Sequence, residues 1–153
     1  MRLISQNDLE EAVSGRNVLI DTNIIIYLTD EVSPYAELSR SLFEMVERGE
    51  ASALLSIVSI AEVMQGPLKK GLMKNAFEVR DYLLHFPNMS CQEITIDVLD
   101  SIGLDKRINW SKLRTIDSLI IASGLINNID GIVSNDRHFK LAVPETLIIS
   151  FDL

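Results

Sequence analysis

Four acidic residues, each next to an apolar segment, are the positions in this sequence best suited to chemistry. They are Asp21, Glu62, Asp117 and Asp136. An acid at the edge of an apolar segment is costly unless it is paired, solvated or bound to a cation. Four carboxylates in one pocket would repel one another and raise each other's pKa values in the absence of a cation. The pattern therefore predicts an acidic pocket that binds a hard divalent cation such as Mg²⁺.

A metal in such a pocket would favour hydrolysis of a phosphate ester. It can lower the pKa of a bound water and stabilise the charge of a phosphoryl transition state. Two metals about 3.5–4 Å apart could hold both the attacking and the leaving oxygen, and the sequence leaves open whether one or two bind. The polar residues that flank the acids are expected to orient them. These supporting residues are Thr22, Asn23, Ser134 and Asn135.

Each acid also has an ordinary structural interpretation. Asp21 and Asp136 precede predicted helices, where Asp is a favoured N-cap. Ser59 and Glu62 have the spacing of a capping box, in which the Glu side chain reaches back to the cap residue. Asp117 lies near the start of a strongly apolar helix, where it could interact with the helix dipole or with a specific partner. The four acids taken together favour a common pocket.

Short apolar segments alternate with helical periodicity along the whole chain. The pattern predicts strands at residues 17–20, 53–58, 93–96, 131–134 and 146–150. It predicts helices at residues 3–13, 34–49, 59–66, 68–84, 97–108, 115–127 and 136–141, with 22–28 either helix or strand. This alternation is typical of an α/β protein with a parallel sheet covered by helices on both faces.

The predicted sheet places three of the acids at one edge. Active sites of open α/β sheets form at the carboxyl ends of the strands, where the strand order reverses. Asp21 and Asp136 follow predicted strands, and Glu62 lies one turn into the helix after the second strand. Asp117 reaches the same edge only if its helix packs beside the first strand.

Composition indicates one globular domain over residues 1–153. The chain is 47% hydrophobic and 24% charged, as in folded proteins of this size. No apolar run reaches the roughly 20 residues of a membrane span, and the N-terminus lacks the apolar core of a secretion signal. We therefore expect a cytoplasmic protein without membrane contact. The single Cys91 excludes an internal disulfide.

The net charge of −8 restricts the way in which the chain could meet nucleic acid. Domains that hold nucleic acid by bulk electrostatics are usually basic, so a local basic strip and bound cations are needed instead. Candidate phosphate contacts near the acidic edge are Lys112, Arg114, Arg137 and His138. Trp110 could stack an unpaired base, although Trp is more often a packed anchor. An apolar surface between Ile24 and Leu42 is a candidate site for a partner.

Four segments together resemble the signature of PIN-domain ribonucleases. They are Asp21-Thr22-Asn23 after an apolar strand, Ser59-Ile60-Ala61-Glu62, residues 115–122 and residues 134–139. No one segment is specific, but their order and spacing match over nearly the whole chain. The resemblance implies a five-stranded parallel sheet in a three-layer α/β/α sandwich, and Mg²⁺- or Mn²⁺-dependent endoribonuclease activity. By position, Asp21, Glu62, Asp117 and Asp136 would be the catalytic, metal-binding acids.

The resemblance also implies partners. Small stand-alone PIN domains are commonly the VapC-like toxins of toxin–antitoxin pairs and are frequently homodimers. We therefore expect an RNA substrate, an antitoxin protein and a second copy of the chain as partners.

Two other functions stay open on the sequence. A phosphatase of the haloacid-dehalogenase type also has an Asp after its first strand, but it needs a second Asp two residues later. Here that position is Asn23, which counts against a phospho-aspartate mechanism. A non-catalytic RNA- or protein-binding module is the other alternative. The presence of all four acids favours catalysis over it.

Overall fold

A computed structural model describes residues 2–153, in which five short strands alternate with helices. The strands are β1 Asn17–Ile20, β2 Ser52–Ser56, β3 Met89–Gln92, β4 Gly131–Val133 and β5 Ile148–Ile149. The helices are α1 Gln6–Val13, α2 Thr22–Thr29, α3 Ala36–Glu47, α4 Ile57–Lys69, α5 Met73–Leu84, α6 Ile96–Ser101, α7 Thr115–Leu125 and α8 Arg137–Ala142, with a 3₁₀ helix at Trp110–Lys112. The predicted α/β class is confirmed.

The five strands form one parallel sheet in the order β3-β2-β1-β4-β5. β1 is the central strand, and its residue Val18 is paired with Ala53 on one side and with Gly131 on the other. The chain fills one half of the sheet first and then crosses to the other side of β1. The carboxyl ends of β1 and β4 therefore lie side by side at the point where the strand order reverses, which is where ligands bind in such sheets.

Apolar side chains cover both faces of the sheet. Successive residues of a strand point to opposite faces, and β1 shows this alternation directly. Val18 and Ile20 belong to one buried cluster, whereas Leu19 belongs to a second cluster with Ile121 and Ile132. One cluster lies between each face of the sheet and the helices that cover it, so the predicted three-layer α/β/α sandwich is confirmed.

Helix α7 approaches the central strand unusually closely at Gly124. A Cβ atom on this glycine would lie 2.8 Å from Cδ1 of Ile129 and 2.9 Å from Cδ2 of Leu19. Only a residue without a side chain permits this packing. The helix that carries Asp117 therefore packs beside β1, which is the condition that the sequence left open.

The third strand was predicted four residues too late. β3 comprises Met89–Gln92, whereas the segment predicted as a strand, residues 93–96, leads into α6. Met89 and Cys91 pack against the core, while Ile94 and Ile96 are exposed. Thr95 caps α6 by accepting a hydrogen bond from Val98 N at 3.3 Å. The alternating sequence of residues 93–96 imitated a strand, whereas the real edge strand has a weak apolar pattern.

The predicted capping box at residues 59–62 is also wrong. α4 begins at Ile57, and its N-cap is Ser56, whose hydroxyl accepts from Val58 N at 3.2 Å. Ser59 lies inside the helix. The helix also continues through Gly66 and Pro67 to Lys69, past the predicted interruption. Because Pro67 lies in the last turn, it disturbs little of the helix.

The structure corrects two further expectations and decides one that the sequence left open. The helix predicted at residues 97–108 ends at Ser101, and the ambiguous segment 22–28 is helical. Ile24 and Leu42 are fully buried, so the apolar residues proposed there as a partner surface belong to the core. None of the helices within residues 2–153 has the length and apolar character to cross a membrane.

Candidate active site

Asp21 lies at the carboxyl end of β1 and is the N-cap of α2. Its Oδ1 accepts a hydrogen bond from Thr22 N at 2.8 Å, and its Oδ2 accepts one from Ser134 Oγ at 2.6 Å. The residue is only 5% exposed. The capping role is therefore real, and it does not remove Asp21 from the acidic site, because the cap is itself at the edge of the sheet.

The ionised form of Asp21 is unfavourable in this environment. Burial raises the pKa of Asp21 from an ordinary value of 3.8 to about 7. The hydrogen bonds from Ser134 and Thr22 lower the pKa, while the charges of Asp136 and Asp117 raise it further. Both nearby carboxylates thus act on Asp21 through space. A cation bound nearby would favour the ionised form.

Asp136 lies just beyond β4 and is the N-cap of α8. Its Oδ1 accepts from His138 N at 2.7 Å and from Phe139 N at 3.4 Å. Its own N–H donates to Ser134 Oγ at 3.1 Å. Because Ser134 also donates to Asp21, one buried hydroxyl connects the two acids that follow neighbouring strands.

Asp117 lies in the first turn of α7 and has a cationic partner. Arg114 Nε donates to its Oδ2 at 2.8 Å, and Arg114 Nη2 donates to its Oδ1 at 3.0 Å. The N–H of Arg114 donates to the same Oδ2 at 3.2 Å. Asp117 is 3% exposed, so this bidentate pair provides the specific partner expected for an acid on so apolar a helix.

The guanidinium of Arg114 also interacts with the other acids. Its Nη2 lies 3.5 Å from Oδ2 of Asp136. The hydrogen bond to Asp117 raises the pKa of Arg114, and the charges of Asp117, Asp136 and Glu62 act in the same direction. Arg114, which the sequence predicts as a phosphate contact, contacts the acids Asp117 and Asp136 in this structure.

Glu62 comes from α4, more than one turn after the helix begins. The hydroxyl of Thr22 donates to its Oε1 at 2.6 Å. Because Thr22 is adjacent to Asp21, this bond ties α4 to the carboxyl end of β1. The four acids are thus linked by short contacts through Thr22, Ser134 and Arg114, although they are spread over 116 positions of the sequence, from 21 to 136.

The donor chemistry of this cluster fits a hard divalent cation, whereas the present side-chain arrangement does not form a ligand cage. All four side chains offer carboxylate oxygens, which Mg²⁺ and Mn²⁺ prefer, and the buried Asp21 is one that a cation would stabilise in its charged form. Within residues 2–153, however, no three His, Cys, Asp or Glu side chains are grouped closely enough to hold a metal ion. The acids are instead engaged by Arg114, Thr22 and Ser134.

The four supporting polar residues divide into two kinds. Thr22 and Ser134 contact the acids directly. Asn23 accepts a long bond of 3.5 Å from Asn135 N. The Asn135 side chain donates to Tyr27 Oη at 3.3 Å and to Asp152 Oδ2 at 2.9 Å. The two asparagines thus hold the loop after β4 in place.

Asp152 was not identified from the sequence. Besides Asn135, it accepts hydrogen bonds from Tyr35 Oη at 3.0 and 3.2 Å and lies 3.8 Å from Lys140 Nζ. Tyr35 stacks on Tyr27 with ring centroids 4.4 Å apart. No local pattern signals this network, because Asp152 and Tyr35 are 117 positions apart.

The other predicted substrate residues lie around the acidic edge. Lys112 is exposed at the end of the 3₁₀ helix, and Arg137 is exposed at the start of α8 beside the partly buried His138. Trp110 is partly buried, and its Nε1 donates to the carbonyl of Asp105 at 3.0 Å. This contact favours the interpretation of Trp110 as a loop anchor.

Comparison with known proteins agrees with this architecture. The model of the PIN domain family matches residues 18–143, a range that contains all four acids. No curated protein sequence matches the chain significantly.

Several solved structures share the fold. VapBC2 from Rickettsia felis, solved bound to a DNA fragment from its promoter, is 18% identical with a TM-score of 0.66, over 89% of this chain and 99% of that chain. A toxin–antitoxin complex from Klebsiella pneumoniae is 19% identical with a TM-score of 0.61, over 89% and 99% of the two chains. VapC20 from Mycobacterium tuberculosis, described as a sarcin–ricin loop cleaving toxin, is 12% identical with a TM-score of 0.62, over 81% and 93%. At these identities the likeness concerns the fold.

Proposed function

Because this chain belongs to the PIN domain family, we propose that it is a metal-dependent endoribonuclease and the toxin of a type II toxin–antitoxin pair. The observation that carries the proposal is the convergence of four acids at the carboxyl edge of the sheet. Ser134 contacts both Asp21 and Asp136, Arg114 contacts both Asp117 and Asp136, and Thr22 contacts both Asp21 and Glu62. The structural likeness to toxin–antitoxin complexes supports the toxin role.

We assign Asp21, Glu62, Asp117 and Asp136 as the residues that would hold Mg²⁺ or Mn²⁺. Such a cation lowers the pKa of water and stabilises negative charge on a phosphoryl group, which suits hydrolysis of an RNA phosphodiester bond. The chain's own contribution is to position the acids. Ser134 fixes Asp21 relative to the loop that carries Asp136, and Thr22 fixes Glu62.

RNA would meet the chain along a short basic strip beside the acids. Lys112, Arg137 and His138 are the proposed phosphate contacts, with Arg114 between them and the acids. Because the net charge is −8, the surface as a whole would repel RNA, and these local cations must compensate for that repulsion. Single-stranded or looped RNA fits such a strip better than a long duplex.

An antitoxin and a second copy of the chain are the proposed protein partners, and the cytoplasm is the proposed location. Solvent-exposed apolar side chains on α5, α6 and the loop after α6 provide surface for protein contacts. They include Met73, Phe77, Ile96, Leu99 and Leu104. Residues 1–153 are proposed to form one nuclease domain.

Cleavage of a mixed pool of structured RNAs tests the proposed activity. The purified chain is assayed with Mg²⁺, with Mn²⁺ and with EDTA, beside Asp21→Asn, Asp117→Asn and the control Asp97→Asn, which changes an exposed acid on α6. We expect cleavage to require metal, to fall at least roughly 100-fold in the two site variants, and to persist in the control.

Three results would contradict this assignment. Cleavage that survives both site substitutions would exclude these acids from the reaction. Metal-independent RNA binding without cleavage would favour a non-catalytic module, and hydrolysis of simple phosphate monoesters in preference to RNA would favour a phosphatase.

A further inference from the structure

The guanidinium of Arg114 lies between two acids of the proposed site, which is the arrangement expected of a counter-ion. Its guanidinium makes two hydrogen bonds to Asp117, of 2.8 and 3.0 Å, and lies 3.5 Å from Asp136. One guanidinium is therefore shared between two of the four acids, on which the proposed function depends.

A second arginine–aspartate pair shows that this arrangement is particular to the site. Arg107 donates to Asp105 at 3.1 and 2.7 Å, a similar two-bond contact. The side chains of Arg107 and Arg114 are 59% and 62% exposed. Among the described residues, the guanidinium of Arg107 is paired with Asp105, whereas that of Arg114 is paired with both Asp117 and Asp136. The two pairs differ in the number of acids that share the guanidinium.

We propose that Arg114 is a built-in counter-ion of the acidic site, which compensates its charge when no metal is bound and competes with the divalent cation for Asp117 and Asp136. The inference rests on the proposed metal-binding role of these acids. It accounts for acids that converge and yet are not grouped as a metal site in the described residues. Oxygens of Asp117 and Asp136 lie against a guanidinium, which takes the position of a cation.

The burial of the two partners indicates which of them moves when a cation binds. The Arg114 side chain is 62% exposed and the Asp117 side chain is 4% exposed, so the guanidinium can rotate into water while the carboxylate stays in the site. Once released, a planar guanidinium at the rim is suited to bind an RNA phosphate. Arg114 would thus be a positioning residue without metal and a substrate contact with metal.

Direct measurement of metal binding tests this competition without any dependence on activity. Mn²⁺ affinity is measured by isothermal titration calorimetry, and free Mn²⁺ by electron paramagnetic resonance, for the wild type and Arg114→Gln. We expect Arg114→Gln to bind Mn²⁺ about tenfold more tightly, because the cation no longer displaces charge-assisted hydrogen bonds. The matched control Arg107→Gln should leave the affinity unchanged.

Arg114→Lys provides a second variant if Arg114→Gln folds poorly. Lysine keeps the positive charge but lacks the two-pronged geometry, so its Mn²⁺ affinity should lie between those of the wild type and Arg114→Gln. Thermal unfolding in EDTA supplies an independent readout. Metal-free Arg114→Gln should melt at a lower temperature than the wild type, and Mn²⁺ should raise its melting temperature by more.

Distinct outcomes separate this inference from the proposed function. Unchanged or weaker Mn²⁺ binding in Arg114→Gln, or in Arg114→Lys where it alone folds, would overturn the counter-ion role. The metal-binding role of the acids would then stand if the wild type binds Mn²⁺ and Asp21→Asn does not. No Mn²⁺ binding by any of these chains would overturn both.

Discussion

Asp21 and Asp117 are almost equally buried, but neutral groups donate hydrogen bonds to Asp21, whereas a charged group donates to Asp117. Asp21 is 5% exposed, and its hydrogen bonds come from a backbone N–H and a serine hydroxyl, which are neutral donors. Asp117 is 3% exposed and receives two bonds from a guanidinium. One half of the acidic site thus lacks a compensating cation, and the other half has its own.

Neutral hydrogen-bond donors offset only part of the electrostatic cost of burying an acid, whereas a cationic donor can offset more of it. Neutral donors leave the pKa of Asp21 raised to about 7, with desolvation by burial as the main cause. This raised pKa destabilises the folded state at neutral pH, because the charged form of Asp21 is less favourable in the folded chain than in the unfolded chain. The Asp21 half is therefore the part of the site that gains most from a bound cation.

Replacement of Asp21 by Asn should stabilise the metal-free chain. Because the folded pKa of Asp21 is raised from 3.8 to about 7, the folded state loses stability as pH rises through this window and keeps that loss above it. The neutral amide side chain of the variant avoids the loss, while its oxygen can accept from Thr22 and its NH₂ group can donate to Ser134. We expect a gain on the order of 1–3 kcal/mol at pH 8 that vanishes near pH 4.

Urea unfolding in EDTA at pH 4, 6 and 8 measures this gain, with Asp97→Asn as the control for loss of an exposed charge. A variant Asp21→Asn that is less stable than the wild type at pH 8 would show that the carboxylate is not costly in the folded chain.

Replacement of Ser134 by Ala should have a smaller effect of opposite sign. The change removes the donor to Asp21 and the acceptor of Asp136 N, which should cost about 1–2 kcal/mol. The hydroxyl lowers the pKa of Asp21, so the cost should grow as pH rises through about 7, where the carboxylate is charged.

Ser123→Ala is the matched control for this change. Ser123 is also fully buried, but its hydroxyl contacts Ser56 Oγ and the carbonyl of Leu119 rather than an acid. Its cost should be the same at pH 5 and pH 8. An equal pH dependence of both variants in urea unfolding would refute the assigned link between Ser134 and Asp21.

Replacement of Asp117 by Asn should give the smallest change, a loss of roughly 1 kcal/mol at neutral pH. The change removes the bidentate contact between the carboxylate and Arg114, but Arg114 is more than half exposed and water can solvate the released guanidinium. Asp105→Asn, in the more exposed pair with Arg107, should cost less. If Asp117→Asn stabilised the metal-free chain, as Asp21→Asn is expected to do, the proposed difference between the two halves of the site would be refuted.

Much of the fold could be predicted from the sequence because its signals are local. β1 was predicted at its observed bounds, since a short apolar run between Gly15 and Asp21 leaves little choice. The cap at Asp136 follows from the preference of Asp for that position. The edge strand β3 was misplaced, because the alternation of Met89 and Cys91 with polar residues is only four positions long and is followed directly by a similar alternation at Ile94 and Ile96.

For the proposed site, the sequence predicted where most of the acids lie relative to the sheet but not which side chains contact them. Residue type and position relative to the strands identify Asp21 and Asp136, whereas the location of Asp117 depends on close packing at Gly124. The Arg114–Asp117 spacing of three residues is a local signal for a helical ion pair, and it was available in the sequence. The contacts of Asp152 and of Thr22 with Glu62 join distant segments, and only the folded chain shows them.

The central position of β1 has a consequence for the order in which the fold can form. The serine that binds Asp21 lies 113 positions after it, and the neighbouring strand β4 comes with that serine. Such non-local pairing is a late step in folding. The contacts of Thr22 with Asp21 and Glu62 need only the first half of the sheet, whereas Asp136 joins them when β4 pairs with β1. A partly folded chain would therefore not yet present the four proposed ligands as one site.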